Sequence, residues 1–358
     1  MKVLHYAEAA NVSFRLPWMD LAVELRRKGA EPHVLCRAAG NVEAAAAERG
    51  IPVTTWKPWL TNFPPVNLRY PGILRRVRPD VVHTRLSSAA NIAGFWGRRL
   101  GIPTVGMLDG APKRKYYRNV DRFTACSAWA RDKMAAQGVS PDIIDVVHNS
   151  IDIGRYARDE SRRREFRLQN GLGPDEVVFV AAGSFSSAKG FDLLLDALSA
   201  VCRCRDGMKL LLAGDGPDRP LLLAAIERLG LRERVVVSDS YQSDIRPWLW
   251  GGDYFVLPSR EEPFGIIVLE AMASGLPVIV TDSGGPAEIL EIAGCGLLAR
   301  SDDADSLADA MTRAMEMGEA LRTKARNDIE CRLRYFSGDS LAERLLGSYA
   351  RARLERCI

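Results

Sequence analysis

Short apolar runs of strand length alternate with stretches of helical spacing along this chain, and this alternation restricts the possible folds most. The clearest example is in the C-terminal half, where Tyr254–Leu257 is an apolar run closed by Pro258. Apolar residues then recur at helical spacing over 264–274, and Leu276–Val280 is a second apolar run. Uninterrupted apolar runs are typical of parallel strands covered on both faces. The pattern therefore predicts a β-α-β unit and an α/β fold.

Two carboxylates lie around the start of the predicted helix, Glu262 and Glu270, with seven residues between them. Eight residues of helix rise roughly 12 Å and make about two turns, so both carboxylates are expected near one face. The N–H groups of Phe264, Gly265 and Ile266 are expected to point unpaired at an incoming diphosphate. The pattern predicts a site for a sugar nucleotide. The alternative is a surface pair of glutamates on an amphipathic helix.

The segment 259–288 resembles the signature of the retaining glycosyltransferases of family 4 (glycosyl transferases group 1), which is two glutamates with seven residues between them. The resemblance implies that Glu262 holds hydroxyls of the donor sugar and that Glu270 holds the ribose. It implies that the backbone of 264–266 contacts the sugar and the phosphate. It also implies the GT-B fold, with two doubly wound Rossmann-like domains facing across a cleft.

A similar strand, turn and helix begin at Val177 and resemble the family's loop that carries an arginine and a lysine-glycine pair. Lys189 matches the lysine that neutralises the leaving diphosphate. Ser184 stands where the family has an arginine, and we expect an arginine from elsewhere, such as Arg15 or Arg260, to compensate. The alternative is that nothing compensates and that the isolated protein binds its donor weakly. Taken alone, a lysine before a glycine at a helix start is also typical of a solvated helix terminus.

The segment from Met208 is predicted to form a strand, a glycine turn, a helix and a further strand. Gly214 and Gly216 match family positions near the nucleotide, although a tight strand-to-helix turn needs glycine for steric reasons alone. Tyr241 follows the second strand, where the family approaches the base of the nucleotide. Stacking on the base and simple core packing both fit this tyrosine.

The first half shows the same alternation less clearly. Met1–Tyr6 and His33–Cys36 are predicted strands, on either side of a helix over 14–28 that Gly29 ends. The loop that starts at Ala7 contains no glycine, whereas the family usually has a glycine-rich loop there. We therefore expect the acceptor side of the site to be built differently.

Asp109 and Gly110 stand where many family members have a histidine before a glycine. An aspartate at this position is suited to orient or deprotonate an acceptor hydroxyl, and is therefore a candidate catalytic residue. The alternative is a turn aspartate that precedes a glycine. Further on, 148–152 resembles the family's pattern before the interdomain linker, with Ser150 in place of the usual glycine.

The chain has 358 residues, of which 47% are hydrophobic and 26% charged, so it is long enough for two cores of about 150 to 170 residues each. We predict an acceptor-binding Rossmann-like domain over 1–160 and a donor-binding Rossmann-like domain over 161–338. The last helix, over 339–358, is expected to cross back onto the first domain, as the family implies. The arginine-rich segment 153–175 is predicted to be the linker.

The net charge of +4 is too small to favour nucleic acid as a partner. Basic residues interleaved with tyrosines at 113–118 are suited to an anionic lipid head group or a phosphorylated acceptor. A solvated basic loop is the alternative. The basic members of this cluster are Lys113, Arg114, Lys115 and Arg118.

Seven cysteines and four histidines show no zinc-binding spacing, and the thiols are expected to be reduced in the cytoplasm. No signal peptide precedes the first strand, and no apolar run reaches the ~18 residues that span a bilayer. We expect a cytoplasmic protein, or one held peripherally on the inner face of the membrane.

The family resemblance implies retaining transfer of a sugar from a nucleotide diphosphate donor, and we expect a UDP- or GDP-linked donor and a hydroxyl of a glycan or lipid-linked acceptor. Synthesis of bacterial surface polysaccharide, lipopolysaccharide or glycolipid is the expected context. No cofactor is expected, and no metal ion either, because no carboxylate pair with metal-ligand spacing stands where the diphosphate would lie. Two other classes stay open: a sugar-nucleotide epimerase or hydrolase on the same fold, and a non-catalytic nucleotide-sugar-binding subunit.

Overall fold

The computed structural model describes residues 1–12, 15–110, 112–327 and 329–356, without the side chains of Arg15 and Leu16. The chain divides into two compact units. The N-terminal unit comprises Met1–Ser150 and Phe336–Ile358, and the C-terminal unit comprises Ile151–Tyr335. The division lies at Ser150 rather than at residue 160, and the C-terminal segment groups with the N-terminal unit from Phe336 onward.

The N-terminal unit contains a seven-stranded sheet in its described part. Its strands are β1 (Lys2–Ala7), β2 (Glu31–Cys36), β3 (Val53–Thr55), β4 (Val81–Arg85), β5 (Thr104–Leu108), β6 (Arg122–Ala125) and β7 (Ile144–Val146). They are parallel, in the order β3-β2-β1-β4-β5-β6-β7. The order reverses beside β1, which is the doubly wound arrangement that the family resemblance implied.

Helices cover this sheet: α1 (Arg15–Arg27), α2 (Asn41–Glu48), α3 (Arg69–Val77), α4 (Ser87–Leu100), α5 (Ala128–Ala135) and, from the end of the chain, α15 (Gly338–Leu354). The apolar side of α15 is part of the same core as β1 and α1, because Leu345 and Tyr349 are buried in one cluster with Val3 and Leu25. The Tyr349 hydroxyl lies 2.8 Å from Nδ1 of His83 on β4. The last helix is therefore an integral part of the N-terminal unit.

The C-terminal unit has a six-stranded parallel sheet, in the order β10-β9-β8-β11-β12-β13. The strands are β8 (Val177–Ser184), β9 (Met208–Asp215), β10 (Val235–Val237), β11 (Tyr254–Leu257), β12 (Val278–Thr281) and β13 (Leu297–Ala299). The helices are α6 (Ile153–Tyr156), α7 (Glu160–Gln169), α8 (Phe191–Cys202), α9 (Arg219–Arg228), α10 (Arg246–Gly251), α11 (Ile266–Ala273), α12 (Gly285–Ala293), α13 (Ala304–Arg326) and α14 (Ile329–Leu333).

The core of the C-terminal unit lies between β8, β9, β11 and the helices α8 and α13. Phe179, Leu195, Leu210 and Met311 are fully or almost fully buried there. Because parallel strands all end at the same edge of a sheet, the loops that follow β8, β9 and β11 lie together at that edge. That edge carries the candidate site.

The prediction that 153–175 is an interdomain linker is wrong. The segment forms α6 and α7 inside the C-terminal unit, and two of its arginines, Arg163 and Arg167, bind other groups of the protein. Arg163 donates to Oδ1 of Asp253 at 2.7 Å, and the buried Arg167 lies 3.3 Å from Oδ2 of the same carboxylate. An arginine-rich composition is typical of exposed segments, but here buried ion pairs and carbonyl acceptors satisfy the guanidinium groups.

Two buried histidines lie side by side in the N-terminal sheet, His5 on β1 and His83 on β4. Burial, followed by the positive charge of Arg85, lowers the pKa of His5 to about 3. Burial also lowers the pKa of His83, with smaller effects from His5 and Arg85. Both imidazoles are therefore neutral in the folded protein at neutral pH.

We expect the N-terminal unit to lose stability as the pH falls. The folded pKa of His5 lies below its unfolded value near 6.5, so the neutral imidazole favours folding fully above pH 6.5 and progressively less below it. Between pH 6.5 and 5 the loss is about 2 kcal/mol for such a group. In His5→Gln, which cannot titrate, the difference in unfolding free energy from the wild type should shrink by that amount between pH 7.5 and 5. A difference that stays constant in guanidinium unfolding would contradict the expectation.

Candidate active site

A cavity of about 350 Å³ opens at the carboxyl ends of β8, β9 and β11. Most of the predicted donor-site residues line it, although they come from separate parts of the sequence. They are Ser184, Lys189, Gly214, Tyr241, Glu262, Gly265, Ile266 and Glu270. Phe264 does not line the cavity, because its side chain is 4% exposed and packs into the core.

Lys189 and Glu262 form an ion pair at the wall of this cavity, with Nζ of the lysine donating to Oε2 of the glutamate. The side chain of Glu262 is 10% exposed and that of Lys189 is 26% exposed, so the pair is reachable from the cavity but mostly shielded from solvent. Lys189 ends a short 3₁₀ turn, and Arg260 N donates to Ala188 O at 2.8 Å. This backbone bond ties the loop of Lys189 to the loop of Glu262.

The backbone of Glu262 is fixed by the loop after β12. Glu262 N donates to Ser283 O at 3.1 Å, and Gly285 N donates to Glu262 O at 3.0 Å. A Cβ at Gly285 would lie 2.4 Å from Cα of Phe264, so the close approach of the two loops requires glycine there. The carboxylate of Glu262 therefore projects from a backbone held at both ends.

The expectation that helical rise sets the separation of Glu262 and Glu270 is wrong. α11 begins at Ile266, after Gly265 in the left-handed conformation at φ 85°, and Glu262 precedes the helix in an extended bridge with Gly284. Only Glu270 is on the helix. Pro263 disfavours a helical conformation at the preceding Glu262, and the left-handed Gly265 separates Glu262 from the first turn of the helix. Gly265 and Ile266 still present the helix N-terminus to the cavity, where N–H groups lack intrahelical acceptors.

Glu270 is held by a tyrosine that the sequence interpretation did not identify. Tyr156 on α6 donates its hydroxyl to Oε1 of Glu270 at 2.7 Å, and both residues line the cavity. Burial raises the pKa of Glu270, while the Tyr156 hydroxyl and the charge of Arg155 act in the opposite direction. Tyr156 went unrecognised because it lies in the segment interpreted as a linker.

Arg155 is a second residue that sequence interpretation missed. It is exposed, lines the same cavity as Ser184 and Lys189, and lies close enough to influence the pKa of Glu270 and of Asp244. Its guanidinium lies about 6.0 Å from the centre of the Tyr156 ring. A positive side chain is therefore present in the cavity although Ser184 is not an arginine.

Arg260 does not compensate for Ser184, contrary to expectation. Its guanidinium is bound by two carboxylates, at 2.7 Å from Asp192 and 2.6 Å from Asp302, and Arg260 is not among the residues that line the cavity. The side chain of Arg15 lies outside the described part of the chain.

Tyr241 also lines the cavity, and it is 72% exposed and thus available to a planar ring. This exposure excludes the alternative that Tyr241 packs in the core. Gly214 lines the cavity, but a Cβ there would lie 1.9 Å from Gly183 O, so steric demand alone requires glycine. The same holds for Gly216, where a Cβ would lie 2.4 Å from Phe185 O, and Gly216 does not line the cavity.

The remaining predicted residues belong to the N-terminal unit. Asp109 directly follows β5, and its carboxylate lies 3.6 Å from the guanidinium of the buried Arg85 on β4. The basic cluster at 113–118 surrounds a 3₁₀ turn, and Lys113, Arg114, Lys115 and Arg118 are exposed. Arg114 donates to Gln137 O at 3.0 Å, so it is partly held by the protein itself.

Within the described residues, no cluster of three or more histidine, cysteine or acidic side chains has the arrangement of a metal site. Over the same residues, no helix combines the length and the apolar character that crossing a bilayer requires. The cavity itself is lined by a lysine, an arginine and a helix N-terminus, which together suit an anionic ligand.

Comparison with known proteins agrees with this geometry. The model of "Glycosyltransferase Family 4" matches residues 18–155, and that of "Glycosyl transferases group 1" matches residues 176–317. The lipopolysaccharide core biosynthesis glycosyltransferase LpsE of Rhizobium meliloti is 28% identical over 280 residues, which is 78% of each protein.

Solved structures show the same fold. Anabaena HepE in complex with UDP matches with a TM-score of 0.83 at 21% identity, over 98% of this chain and 100% of HepE. The lipopolysaccharide outer core galactosyltransferase WaaB, in its apo form, matches with a TM-score of 0.76 at 18% identity, over 98% of each chain. The two parallel sheets and these structural neighbours thus show the GT-B fold, and the two family models show a glycosyltransferase. The chain belongs to the family 4, group 1 glycosyltransferases, as the motifs predicted.

Proposed function

We propose that this glycosyltransferase moves a sugar from a nucleoside diphosphate sugar to an acceptor hydroxyl with retention at the anomeric carbon. The observation that carries the proposal is the Lys189–Glu262 pair, set beside the N-terminus of α11 in a cavity that also holds Glu270. Lys189, the helix N-terminus and the separated carboxylates of Glu262 and Glu270 match a diphosphate flanked by two polyhydroxylated rings.

Each group has a distinct part in the proposed reaction. The diphosphate leaves toward Lys189 and the N–H groups at Gly265 and Ile266, which stabilise the developing negative charge. Glu262 accepts hydrogen bonds from hydroxyls of the sugar, and Glu270 accepts them from the ribose. The acceptor hydroxyl attacks the face that the diphosphate leaves, and its proton passes to an oxygen of the departing diphosphate. Asp109, positioned by Arg85, is the proposed residue that orients this hydroxyl.

A UDP-linked sugar is the first donor to test, because HepE has been solved with UDP-glucose as well as with UDP. GDP-linked sugars should be tested as donors in parallel. LpsE and WaaB are both named for lipopolysaccharide, and this supports a surface glycan or glycolipid as the acceptor. No metal ion or cofactor has a part in the proposal.

The decisive experiment supplies labelled UDP- and GDP-sugars with and without a bacterial membrane extract, and follows the label by chromatography. Transfer to a new glycan or lipid, unaffected by EDTA and with the donor's anomeric configuration by NMR, is the expected result. Free or epimerised sugar without transfer would establish the hydrolase or epimerase class. Tight donor binding without any conversion would establish the non-catalytic class.

The contact between Tyr156 and Glu270 gives a separate prediction. A neutral hydrogen bond contributes about 0.5 to 1.5 kcal/mol, so Tyr156→Phe should lower UDP affinity roughly 2- to 10-fold in calorimetry by leaving the Glu270 carboxylate less firmly oriented. In a Glu270→Ala background the same substitution should have no effect, because the partner is already gone.

Glu291→Ala is the matched control, since Glu291 is exposed on α12 and does not line the cavity. It should bind UDP as the wild type does. Equal losses from Tyr156→Phe in both backgrounds would show that the tyrosine acts independently of Glu270 and would contradict the prediction.

A further inference from the structure

Four large apolar side chains are exposed within ten residues of the N-terminal unit, between β3 and α3. The side chains of Trp59, Leu60, Phe63 and Leu68 are 79%, 50%, 55% and 73% exposed. Single exposed apolar residues are ordinary, but a contiguous group marks a surface that another body covers. Residues 57–69 are called the apolar loop below.

The apolar loop is fixed by hydrogen bonds, so its side chains are not exposed through lack of structure. Asn67 is buried, accepts from Trp59 N at 2.9 Å and donates to Leu60 O at 2.8 Å. From α4, Asn91 donates to Thr61 O at 2.9 Å and Trp96 donates to Pro64 O at 3.0 Å. The backbone is therefore held against the unit while the large side chains face outward.

The charge around the apolar loop has one sign. Between Glu48 and Asp80 the sequence has no acidic residue and six basic ones. Arg49 is paired with Asp20, and the other five are exposed: Lys57, Arg69, Arg75, Arg76 and Arg78. On α3 the arginines lie opposite the side that buries Tyr70, Leu74 and Val77. In sequence, exposed basic residues thus begin and follow the apolar loop, and they are called its positive border below.

We propose that the apolar loop and the arginines of α3 dock the protein on the surface of an anionic lipid bilayer. Tryptophan and phenylalanine favour the boundary between headgroups and acyl chains, and leucine adds buried apolar area. Basic side chains at the border bind anionic headgroups. A second copy of the chain is disfavoured as the occupant, because it would bring two positive borders together.

The proposal differs from the predicted role of the cluster at 113–118, which has no comparable exposed apolar group: Tyr117 is buried and Tyr116 half-buried. It is also independent of the proposed sugar transfer, because binding to lipid is measured without donor or acceptor. If the lipid-binding proposal fails, the sugar-transfer proposal is therefore unaffected, and the reverse also holds.

The test is co-sedimentation of the full chain with phosphatidylcholine vesicles, with and without phosphatidylglycerol. The wild type should partition onto the anionic vesicles in a salt-dependent way. Trp59→Ser/Phe63→Ser should lower the partition coefficient about 10-fold or more, because it removes two large side chains from the lipid boundary. Lys57→Gln/Arg69→Gln should lower it roughly 5-fold per charge at low salt.

The matched control is Leu168→Ser/Leu221→Ser, which replaces two side chains that are 82% and 70% exposed in the C-terminal unit. It should bind vesicles as the wild type does, and all variants should keep the wild-type UDP affinity and unfolding midpoint. Unchanged binding by Trp59→Ser/Phe63→Ser would overturn the proposal. So would loss of binding only on replacing Lys113, Arg114, Lys115 and Arg118, or a dimer that Trp59→Ser/Phe63→Ser dissociates.

Discussion

Glu262→Gln and Lys189→Ala are each expected to lower kcat by about 100- to 1000-fold, which is the usual effect of removing one group that stabilises charge in a transition state. The two side chains form one ion pair at the cavity wall. Either change removes the pair as well as a ligand contact. The double variant should therefore lose little more than the worse single variant, since groups that act as a unit are not additive.

Glu261→Gln is the matched control for this experiment. Glu261 is the neighbouring carboxylate on the same loop, but it is exposed and does not line the cavity. The kcat of Glu261→Gln should equal that of the wild type. Sugar transfer by Glu262→Gln within a few fold of the wild type would contradict the assignment. Unfolding midpoints should be measured in parallel, because Lys189→Ala leaves a mostly buried carboxylate unpaired.

The fold could be predicted from sequence because its determinants are local and periodic. Runs such as Tyr254–Leu257 are apolar throughout, which is typical of a strand covered on both faces, and this strand is observed in full. Glycines at helix ends, such as Gly275 at φ 74°, also follow from local geometry. The loops after parallel strands must then meet at one edge of the sheet, and this brings Lys189 and Glu262 together.

What could not be predicted depends on contacts between distant parts of the chain. Tyr156 meets Glu270 although 114 residues separate them, and nothing in the composition of 153–175 indicates this. The arginines of this segment suggested that the segment is exposed to solvent. Arg167 is nevertheless buried, and its guanidinium binds Asp253 and carbonyl groups. The position of Glu262 before α11 depends on a bridge to Gly284 in another loop. The hydrophobic periodicity of the sequence does not indicate which distant residues contact each other.

The diphosphate anchor is where this chain departs most from its family, and Arg155 is the expected replacement for the missing arginine. Ser184 offers one neutral hydrogen bond, whereas a guanidinium grips two phosphate oxygens at once. Arg155 lines the cavity that Ser184 and Lys189 also line, and Arg260 is bound to Asp192 and Asp302 instead. Any arginine in contact with the diphosphate must come from the cavity lining, and within the described residues Arg155 meets that requirement.

Arg155→Gln should therefore weaken UDP binding about 10- to 150-fold, the equivalent of losing a charged hydrogen bond of about 1.5 to 3 kcal/mol, and should weaken UMP binding much less. Arg260→Gln should bind UDP as the wild type does. Ser184→Arg alone should give no gain, because the new guanidinium meets the charge of Arg155 in the same cavity. In the Arg155→Gln background, Ser184→Arg should restore most of the lost affinity, since it places an arginine where the family has one. Calorimetry with UDP and UMP on these four variants tests whether Arg155 contacts the diphosphate. If Ser184→Arg alone binds UDP more tightly than the wild type and Arg155→Gln binds it equally well, no arginine fills the site.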